Sequence, residues 1–295
     1  MLIAAWVCCC VFAIPASANK TRLIFPIKAE HTDSLFTDVK KQIAEQHLVA
    51  LPIGDRIVAI AKLFLGRPYL EKSLEVGNDT GVVCNFNGFD CVTLFENAWA
   101  LARFSKQDDT SLDAYARELA RMRYFDGNPL GFQTRVHYTT DYFYQASKNK
   151  VLEEVTGMIA EDYAELERKP INFMSTHPTL YPALKGDTSL VSAIKVVEKK
   201  IAGRGGFYYI RKNNLASVES KIKTGDLIGI TTKVPGIDCS HTGIAIKGDD
   251  GRIHFLHASS ALGKVVISEM PLVDYLQKNL PQTGVIIYRP KEAGK

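Results

Sequence analysis

The spacing of the apolar residues changes along the chain, and this change limits the fold more than any other feature. Before residue 202 the clearest apolar patterns have the helical period, which predicts helices at 33–49, 55–65, 91–104, 111–123 and 188–201. After residue 226 the pattern is that of short strands, predicted at 227–231, 242–247, 252–257, 265–267 and 285–288. Helices followed by strands predict an α+β fold, because βαβ units would require the two to alternate.

The chain shows no internal division into two parts. Its 295 residues could form one large domain or two ordinary ones, but no low-complexity linker separates two segments. Residues 124–182 are irregular and rich in aromatic residues, with one strand predicted at 151–155. We therefore predict a single domain at 19–295, with a large insertion at about 105–220.

The first 18 residues have the layout of a secretory signal peptide. They contain no charged residue, residues 2–14 are apolar, and Ala16-Ser17-Ala18 forms a small-x-small cleavage site. The Lys or Arg that usually follows the initiating Met is absent, so a buried N-terminal helix remains the alternative. The interpretation predicts a mature chain that begins at Asn19 and is exported to the periplasm or out of the cell.

Charge and hydropathy argue against two classes of partner. The chain has 36 Lys and Arg against 32 Asp and Glu, which gives a net charge of +4, and it contains no run of basic residues. This small, dispersed excess disfavours nucleic acid as the main partner. No stretch of 18 or more uncharged apolar residues follows residue 18, so we predict no membrane span in the mature chain.

Cysteine usage points to one thiol with a chemical role. Cleavage after residue 18 would leave Cys84, Cys91 and Cys239, and an odd number in an exported protein leaves at least one thiol outside intrachain disulfides. A disulfide between Cys84 and Cys239 is one option, and spacing alone does not establish it. Cys91 opens a predicted helix after a Gly/Asn-rich loop, where unpaired N–H groups and the helix dipole favour a thiolate.

A thiolate nucleophile needs a base, and the late strands offer histidines at suitable positions. The turn Asp249-Asp250-Gly251 suits a three-residue hairpin loop, in which Gly248 faces Arg252 and His257 lies opposite Gly243. His241 then becomes the diagonal neighbour of His257 on the same face, with space left by Gly243, while His254 falls on the other face. This pattern predicts the nucleophile, base and orienting residue of a cysteine hydrolase: Cys91, His241 and His257.

Five motifs in order resemble the NlpC/p60 superfamily of papain-like cysteine peptidases and amidases that cut bacterial peptidoglycan. They are Leu65-Gly66-Arg67-Pro68-Tyr69, Phe89-Asp90-Cys91, Thr224-Gly225-Asp226-Leu227, Ser240-His241-Thr242-Gly243-Ile244 and Leu256-His257-Ala258. The resemblance implies a papain-like core, in which the catalytic Cys at a helix N-terminus packs on an antiparallel sheet or small barrel. It gives the same three catalytic roles, places Tyr69 beside the nucleophile, and implies no cofactor. Val92-Thr93 departs from the small Ser-Gly pair that usually follows the Cys.

The insertion carries a narrower resemblance, to an N-acetylmuramoyl-L-alanine amidase-like subgroup. Arg135-Val136-His137-Tyr138 and Ser175-Thr176-His177-Pro178 carry it. It implies cleavage of the amide between N-acetylmuramic acid and L-Ala. Because the sequence contains no separate wall-anchoring repeat, we expect small soluble muropeptides as substrates, with the 1,6-anhydro sugar as one option, and a monomeric protein. Candidate substrate-binding residues are Asp90, Arg135, Arg204 and Ser240.

Four alternatives remain open at this point. One is acyl transfer, because a thioester intermediate can be resolved by a nucleophile other than water. An endopeptidase that cuts between γ-D-Glu and the diamino acid would use Asp90 to recognise a free L-Ala amine. A muropeptide-binding module could keep the fold without the chemistry. A zinc site could draw on Cys239, His241, His254 and His257, although the strand alternation separates His254 from the others.

Overall fold

A computed structural model describes residues 23–24, 32–75 and 80–292. The helices are α1 (Thr32–Glu45), α2 (Ile53–Lys62), α3 (Cys91–Phe104), α4 (Leu112–Arg123), α5 (Thr139–Lys148), α6 (Thr156–Ala160), α7 (Phe173–Thr176), α8 (Thr188–Ala202), α9 (Leu215–Val218) and α10 (Leu272–Gln277). Short 3₁₀ turns lie at Leu48–Ala50, Phe125–Gly127, Phe132–Thr134, Glu161–Tyr163, Pro178–Leu180 and Glu219–Lys221. The predicted signal peptide lies outside the described residues.

The strands form one large sheet and a small one. They are β1 (Leu23–Ile24), β2 (Val82–Val83), β3 (Leu152–Glu154), β4 (Ala164–Glu167), β5 (Phe207–Arg211), β6 (Leu227–Thr232), β7 (Cys239–Lys247), β8 (Ile253–Ser259), β9 (Lys264–Ile267) and β10 (Gln282–Pro290). The large sheet has the order β4-β5-β10-β6-β7-β8-β9, β3 also pairs with β10, and every one of these pairings is antiparallel. β1 and β2 form a separate parallel pair. The predicted α+β class is confirmed.

The predicted elements with strong local signals are found close to their predicted bounds. α3 begins and ends where predicted, and Ser111 caps α4 by accepting a hydrogen bond from the backbone N–H of Ala114 at 3.1 Å. The aromatic stretch after residue 124 was expected to be irregular, yet it contains α5 and β4. The segment at 105–220 also supplies β3, β4 and β5 to the large sheet, so it is built into the domain.

Both faces of the central strands are buried. Leu227, Ile244, Leu256 and Ile286 face the first four helices, whereas Ile228, Ala245, Phe255 and Val285 face a second core that includes side chains of α6, α9 and α10. This explains why these strands read as nearly continuous apolar runs. None of the described helices is both long and apolar enough to span a bilayer.

Helix α3 occupies the centre of the larger core. All its residues from Thr93 to Ala102 are buried, and it packs against α2, α4 and strand β7. Burial on all sides fixes its axis, and its N-terminus lies beside the first half of β7. The fold therefore brings Cys91 to the strand that carries His241.

Candidate active site

Cys91 is the first residue of α3, and Asp90 caps that helix. The Asp90 carboxylate accepts hydrogen bonds from the backbone N–H groups of Val92 at 3.0 Å and Thr93 at 2.8 Å. The Thr93 hydroxyl in turn accepts from the Asp90 backbone N–H at 2.9 Å, which completes a capping box. The second carboxylate oxygen accepts from the Ser73 hydroxyl at 2.9 Å. The capping box fixes the position at which the thiol leaves the helix.

The cap changes the predicted state of the thiol. Burial and the negative charge of Asp90 together raise the pKa of Cys91 to about 11, and the hydrogen-bonding groups of Thr242 only partly oppose these effects. The expected resting thiolate is therefore not favoured in this structure, because a carboxylate already occupies two of the N–H groups at the helix terminus. The backbone N–H of Cys91 has no acceptor outside its own residue among the described residues.

The β7–β8 hairpin has the register predicted from its turn. Ile244 faces Leu256 and Lys247 faces Ile253, and the backbone N–H of Gly248 donates to the Arg252 carbonyl at 2.8 Å. Gly251 adopts the left-handed conformation, with φ of 77°, that a three-residue loop requires. The predicted separation of His254 from the other two histidines is confirmed.

His241 and His257 meet on one face of this hairpin. The Nε2 atom of His241 lies 2.6 Å from Nδ1 of His257, which is a hydrogen bond. The His257 ring stacks on Phe255 with a centroid distance of 4.7 Å, and Tyr275 of α10 lies 5.5 Å from it. The space at Gly243 is occupied by strand β8: a Cβ there would lie 2.6 Å from the Leu256 carbonyl oxygen and 2.7 Å from the Phe255 ring.

Burial keeps both imidazoles neutral at physiological pH. It lowers the pKa of His241 to about 4, and burial together with the charge of His241 lowers the pKa of His257 to about 3. If Nε2 of neutral His241 carries the ring hydrogen, it donates to His257 and leaves Nδ1 as a basic atom. That Nδ1 atom has no hydrogen-bond partner within the described part of the chain.

Thr242 connects the strand to the nucleophile helix. Its hydroxyl donates to the Cys91 carbonyl at 3.0 Å, and the polar groups of Thr242 act to lower the pKa of the Cys91 thiol. The pairing of β6 with β7 shifts by one residue here, so that Ile230 faces His241 and Thr231 faces Cys239. Ser240 is the extra residue of this bulge and is exposed. Such bulges re-aim side chains next to active sites, and this one lies immediately before His241.

Tyr69 is joined to the segment that precedes α3, and the charge of Cys91 acts on its hydroxyl. Its backbone N–H donates to the Gly263 carbonyl at 2.8 Å, and it forms a bridge with Phe89. Burial and the nearby charges of Cys91 and Asp90 raise the pKa of Tyr69 to about 12, so its hydroxyl stays protonated.

The candidate substrate-binding residues have different surroundings. Arg135 is only 5% exposed and forms a 2.6 Å ion pair with Glu75, so we do not carry it forward as a substrate ligand. Arg204 forms a 2.6 Å ion pair with Asp141 but keeps a partly exposed side chain. Asp90 has a capping role that its motif alone did not predict, and this role competes with recognition of a substrate amine.

The described residues give no support to the disulfide or to the zinc site. Cys84, Cys91 and Cys239 are all free thiols, so the Cys84–Cys239 disulfide is not formed. Across residues 32–75 and 80–292, no group of three or more His, Cys, Asp or Glu side chains could hold a metal ion. His254 instead bonds the Ser268 carbonyl at 2.8 Å and Asp250 at 3.1 Å.

Sequence reasoning missed three residues of this site. Thr93 could have been recognised, because Asp-x-x-Thr before an apolar run is a helix-start signal. Thr242 lies next to the predicted base, yet its contact with Cys91 spans 151 positions of sequence. Tyr275 has no local signal, since α10 brings it to the histidines only in the folded chain.

Comparison with known proteins identifies the family. The family model described as AmiA-like, N-acetylmuramoyl-L-alanine amidase-like matches residues 59–285. An N-acetylmuramoyl-L-alanine amidase structure from Bacteroides uniformis is 34% identical over 81% of this chain and 99% of its own, with a TM-score of 0.74. A Bacteroides fragilis protein provisionally named a xylanase is 35% identical over 78% of this chain and 98% of its own, with a TM-score of 0.70.

A more distant structure has the same architecture. A protein from Legionella pneumophila is 25% identical over 88% of this chain and 95% of its own, with a TM-score of 0.65. No curated protein matches the chain. Since the family model covers most of the described residues, the chain belongs to the AmiA-like family of N-acetylmuramoyl-L-alanine amidase-like proteins.

Proposed function

We propose that the protein is a cysteine hydrolase of the NlpC/p60 type that cleaves the amide between N-acetylmuramic acid and L-Ala in muropeptides. The observation that carries the proposal is the 2.6 Å hydrogen bond between His241 Nε2 and His257 Nδ1. The residue after His241, Thr242, donates a hydrogen bond to the Cys91 carbonyl, so the histidine pair lies on the strand that contacts the nucleophile. It leaves His241 Nδ1 as the atom that can take a proton from the thiol. The family supports a substrate derived from peptidoglycan.

Catalysis begins from a neutral thiol and a neutral imidazole. As Cys91 Sγ attacks the lactyl carbonyl carbon of the muramic acid, its proton passes to His241 Nδ1. The developing oxyanion accepts a hydrogen bond from the Cys91 backbone N–H, which has no other acceptor outside its own residue among the described residues. His257 holds the His241 ring and accepts from Nε2–H while the ring is positively charged.

Breakdown of the tetrahedral intermediate releases the stem peptide. Imidazolium His241 returns its proton to the L-Ala nitrogen as the C–N bond breaks, leaving a thioester on Cys91. Water, deprotonated by His241, then attacks the thioester carbonyl carbon. The C–S bond breaks, the proton on His241 returns to Cys91 Sγ, and the muramic acid leaves with a free carboxyl group. The products are a free stem peptide and a sugar acid, so the balance of the reaction requires only water.

Digestion of defined muropeptides followed by mass spectrometry tests the scissile bond. The proposal expects an intact stem peptide and free sugar from sugar-linked substrates, and no products with Cys91→Ala. Comparing N-acetylmuramoyl and 1,6-anhydro-N-acetylmuramoyl substrates measures which form of the sugar the enzyme prefers. We propose that it prefers the anhydro form. Release of L-Ala-D-Glu from free stem peptides, with sugar-linked substrate untouched, would overturn the proposal in favour of an endopeptidase.

Inhibition distinguishes the thiol mechanism from metal-assisted hydrolysis. Iodoacetamide should abolish activity by alkylating Cys91, while EDTA should leave it unchanged. Loss of activity with EDTA and its recovery with Zn²⁺ would contradict the proposal.

We also propose that the protein is exported and acts in the periplasm on soluble turnover fragments, as a monomer. The charge-free residues 1–18 and the Ala16-Ser17-Ala18 site support export. N-terminal sequencing of the protein from a periplasmic extract should begin at Asn19, and material that retains Met1 would contradict export.

A further inference from the structure

A cavity of about 530 Å³ lies between α5, the end of α8 and strands β5 and β10, and it has no role in the chemistry proposed above. Its walls include Tyr144, Arg168, Lys169, Arg204, Tyr208 and Tyr288, and we call it the basic cavity. Tyr144 and Tyr208 are about half exposed, at 44% and 52%, so the aromatic wall reaches solvent. A cavity with an apolar lining and a few charged groups is the common form of a small-ligand site.

The wall of the basic cavity is continuous with the loop that leads to His241. Three residues that line the cavity hold the end of β6 and the loop that joins β6 to β7. Lys169 donates to the Thr232 carbonyl, Ile171 forms a bridge with Gly236, and Thr140 donates to the Asp238 carboxylate at 2.6 and 2.8 Å. The loop ends at Cys239, two residues before His241.

The shared loop joins the basic cavity to the strand that carries the proposed base. Thr140, which lines the cavity, holds Asp238, and β7 begins at the next residue, Cys239. A substrate held at Cys91 that extends along this loop would reach the cavity.

The charges that line the cavity favour an acidic ligand. Arg204 is held over the Tyr144 ring at 3.9 Å and by Asp141 at 2.6 Å, so its guanidinium has a fixed direction with donors to spare. Arg168 is exposed and makes one long contact, to the Gly205 carbonyl at 3.4 Å. The cavity-lining carboxylate, Glu154, accepts from the Thr156 backbone N–H at 2.7 Å, which partly stabilises its charge.

We propose that the basic cavity binds the carboxylates of the stem peptide, with Arg168 and Arg204 as their ligands, and so selects muropeptides by the length and charge of the peptide. This inference rests on the proposed function, in which the stem peptide is the leaving group. A stem peptide carries free carboxylates beyond L-Ala, and arginine binds carboxylates through paired N–H donors. A sugar ring would use the aromatic wall but would leave the Arg168 guanidinium, which has no carboxylate partner among the described residues, without a counterion.

Steady-state kinetics with two substrates tests the inference. One substrate is sugar-L-Ala, and the other is the same sugar carrying the tripeptide L-Ala-D-Glu-diamino acid. Arg168→Met should raise KM for the tripeptide substrate about tenfold at unchanged kcat, as expected for the loss of one charge-assisted contact. It should leave the sugar-L-Ala substrate unaffected, and Arg168→Lys should restore part of the loss. Arg117→Met on α4, which removes an exposed arginine paired with Asp109, is the matched control.

Equal losses on both substrates, or no loss on either, would overturn the inference. A third substrate, sugar-L-Ala extended by a second sugar, tests the glycan. If Arg168→Met raises KM for that substrate and not for the tripeptide substrate, the cavity binds the glycan and the inference is overturned. Binding of the free tripeptide to Cys91→Ala protein, measured by calorimetry, separates this inference from the proposed chemistry. Binding that weakens with Arg168→Met supports the cavity assignment even if the intact enzyme cleaves neither substrate, whereas no binding refutes it.

Discussion

Replacing His257 with alanine should change both the acid limb and the plateau of the pH profile of hydrolysis. The proposed base, His241, must be neutral to accept the thiol proton, and burial lowers its pKa to about 4. Activity of the unmodified enzyme should therefore be lost only as the pH falls through about 4. Without burial the midpoint would lie near the ordinary value of about 6.5.

The structure sets the size of both effects. The His257 ring is 3% exposed and shields one side of His241, so water that fills its place should raise the pKa of His241 toward about 6.5. A change in the pKa of His241 from about 4 to about 6.5 corresponds to about 3 kcal/mol. The acid limb should therefore move no further than about pH 6.5. Loss of the 2.6 Å hydrogen bond should also lower the plateau of kcat/KM by about five- to thirtyfold, equivalent to about 1–2 kcal/mol.

The assay is kcat/KM for a sugar-linked muropeptide between pH 3.5 and 9, with circular dichroism and return to pH 7 as tests of reversible folding. His257→Gln, whose side-chain carbonyl can accept from Nε2–H, should regain part of the plateau. His254→Ala is the matched control. His254 lies on the same strand as His257, but its hydrogen bonds are to Ser268 and Asp250 and not to His241. An acid limb near 6.5 in the unmodified enzyme, or an unchanged profile in His257→Ala, would refute the reasoning.

Three further predictions concern the thiol, its cap and the buried histidines. Because the pKa of Cys91 is about 11, its alkylation by iodoacetamide should accelerate about tenfold for each pH unit from 7 to 10. Mass spectrometry of the modified peptide measures the rate. A rate that does not depend on pH above 5 would show a preformed thiolate instead. Asp90→Asn should keep the helix cap and change the free energy of unfolding by less than about 0.5 kcal/mol, whereas Asp90→Ala should cost about 1–2 kcal/mol in urea denaturation. Since Asp90→Asn also removes a charge that raises the pKa of Cys91, Cys91 of this variant should be alkylated faster at pH 7. An unchanged rate would show that the charge of Asp90 does not affect the thiol. Burial lowers the pKa of His137 to about 3 and of His241 to about 4, so their contribution to stability is complete above pH 6.5 and declines as the pH falls. Urea denaturation should show a loss of about 1–2 kcal/mol for each of these histidines at pH 5 relative to pH 7, and a constant free energy of unfolding would contradict their burial in the neutral form.

Local signals in the sequence determined the start of α3 at Cys91 and the register of the β7–β8 hairpin. The first depends on Asp90 and the residues that follow it, and the second on the loop Asp249-Asp250-Gly251. Both features are set by backbone geometry within a few residues, which is why periodicity and turn chemistry predicted them. The pairing of His241 with His257 followed from that register.

Only the tertiary structure decided the chemistry around these residues. The state of the Cys91 thiol depends on burial and on Thr242, and the position of Arg135 depends on its ion pair with Glu75, 60 positions earlier. The aromatic segment after residue 124 gained β4 because that strand pairs with β5. Solvation, charge pairing and sheet pairing arise from contacts between residues far apart in the chain, and no local pattern specifies which of those contacts will form.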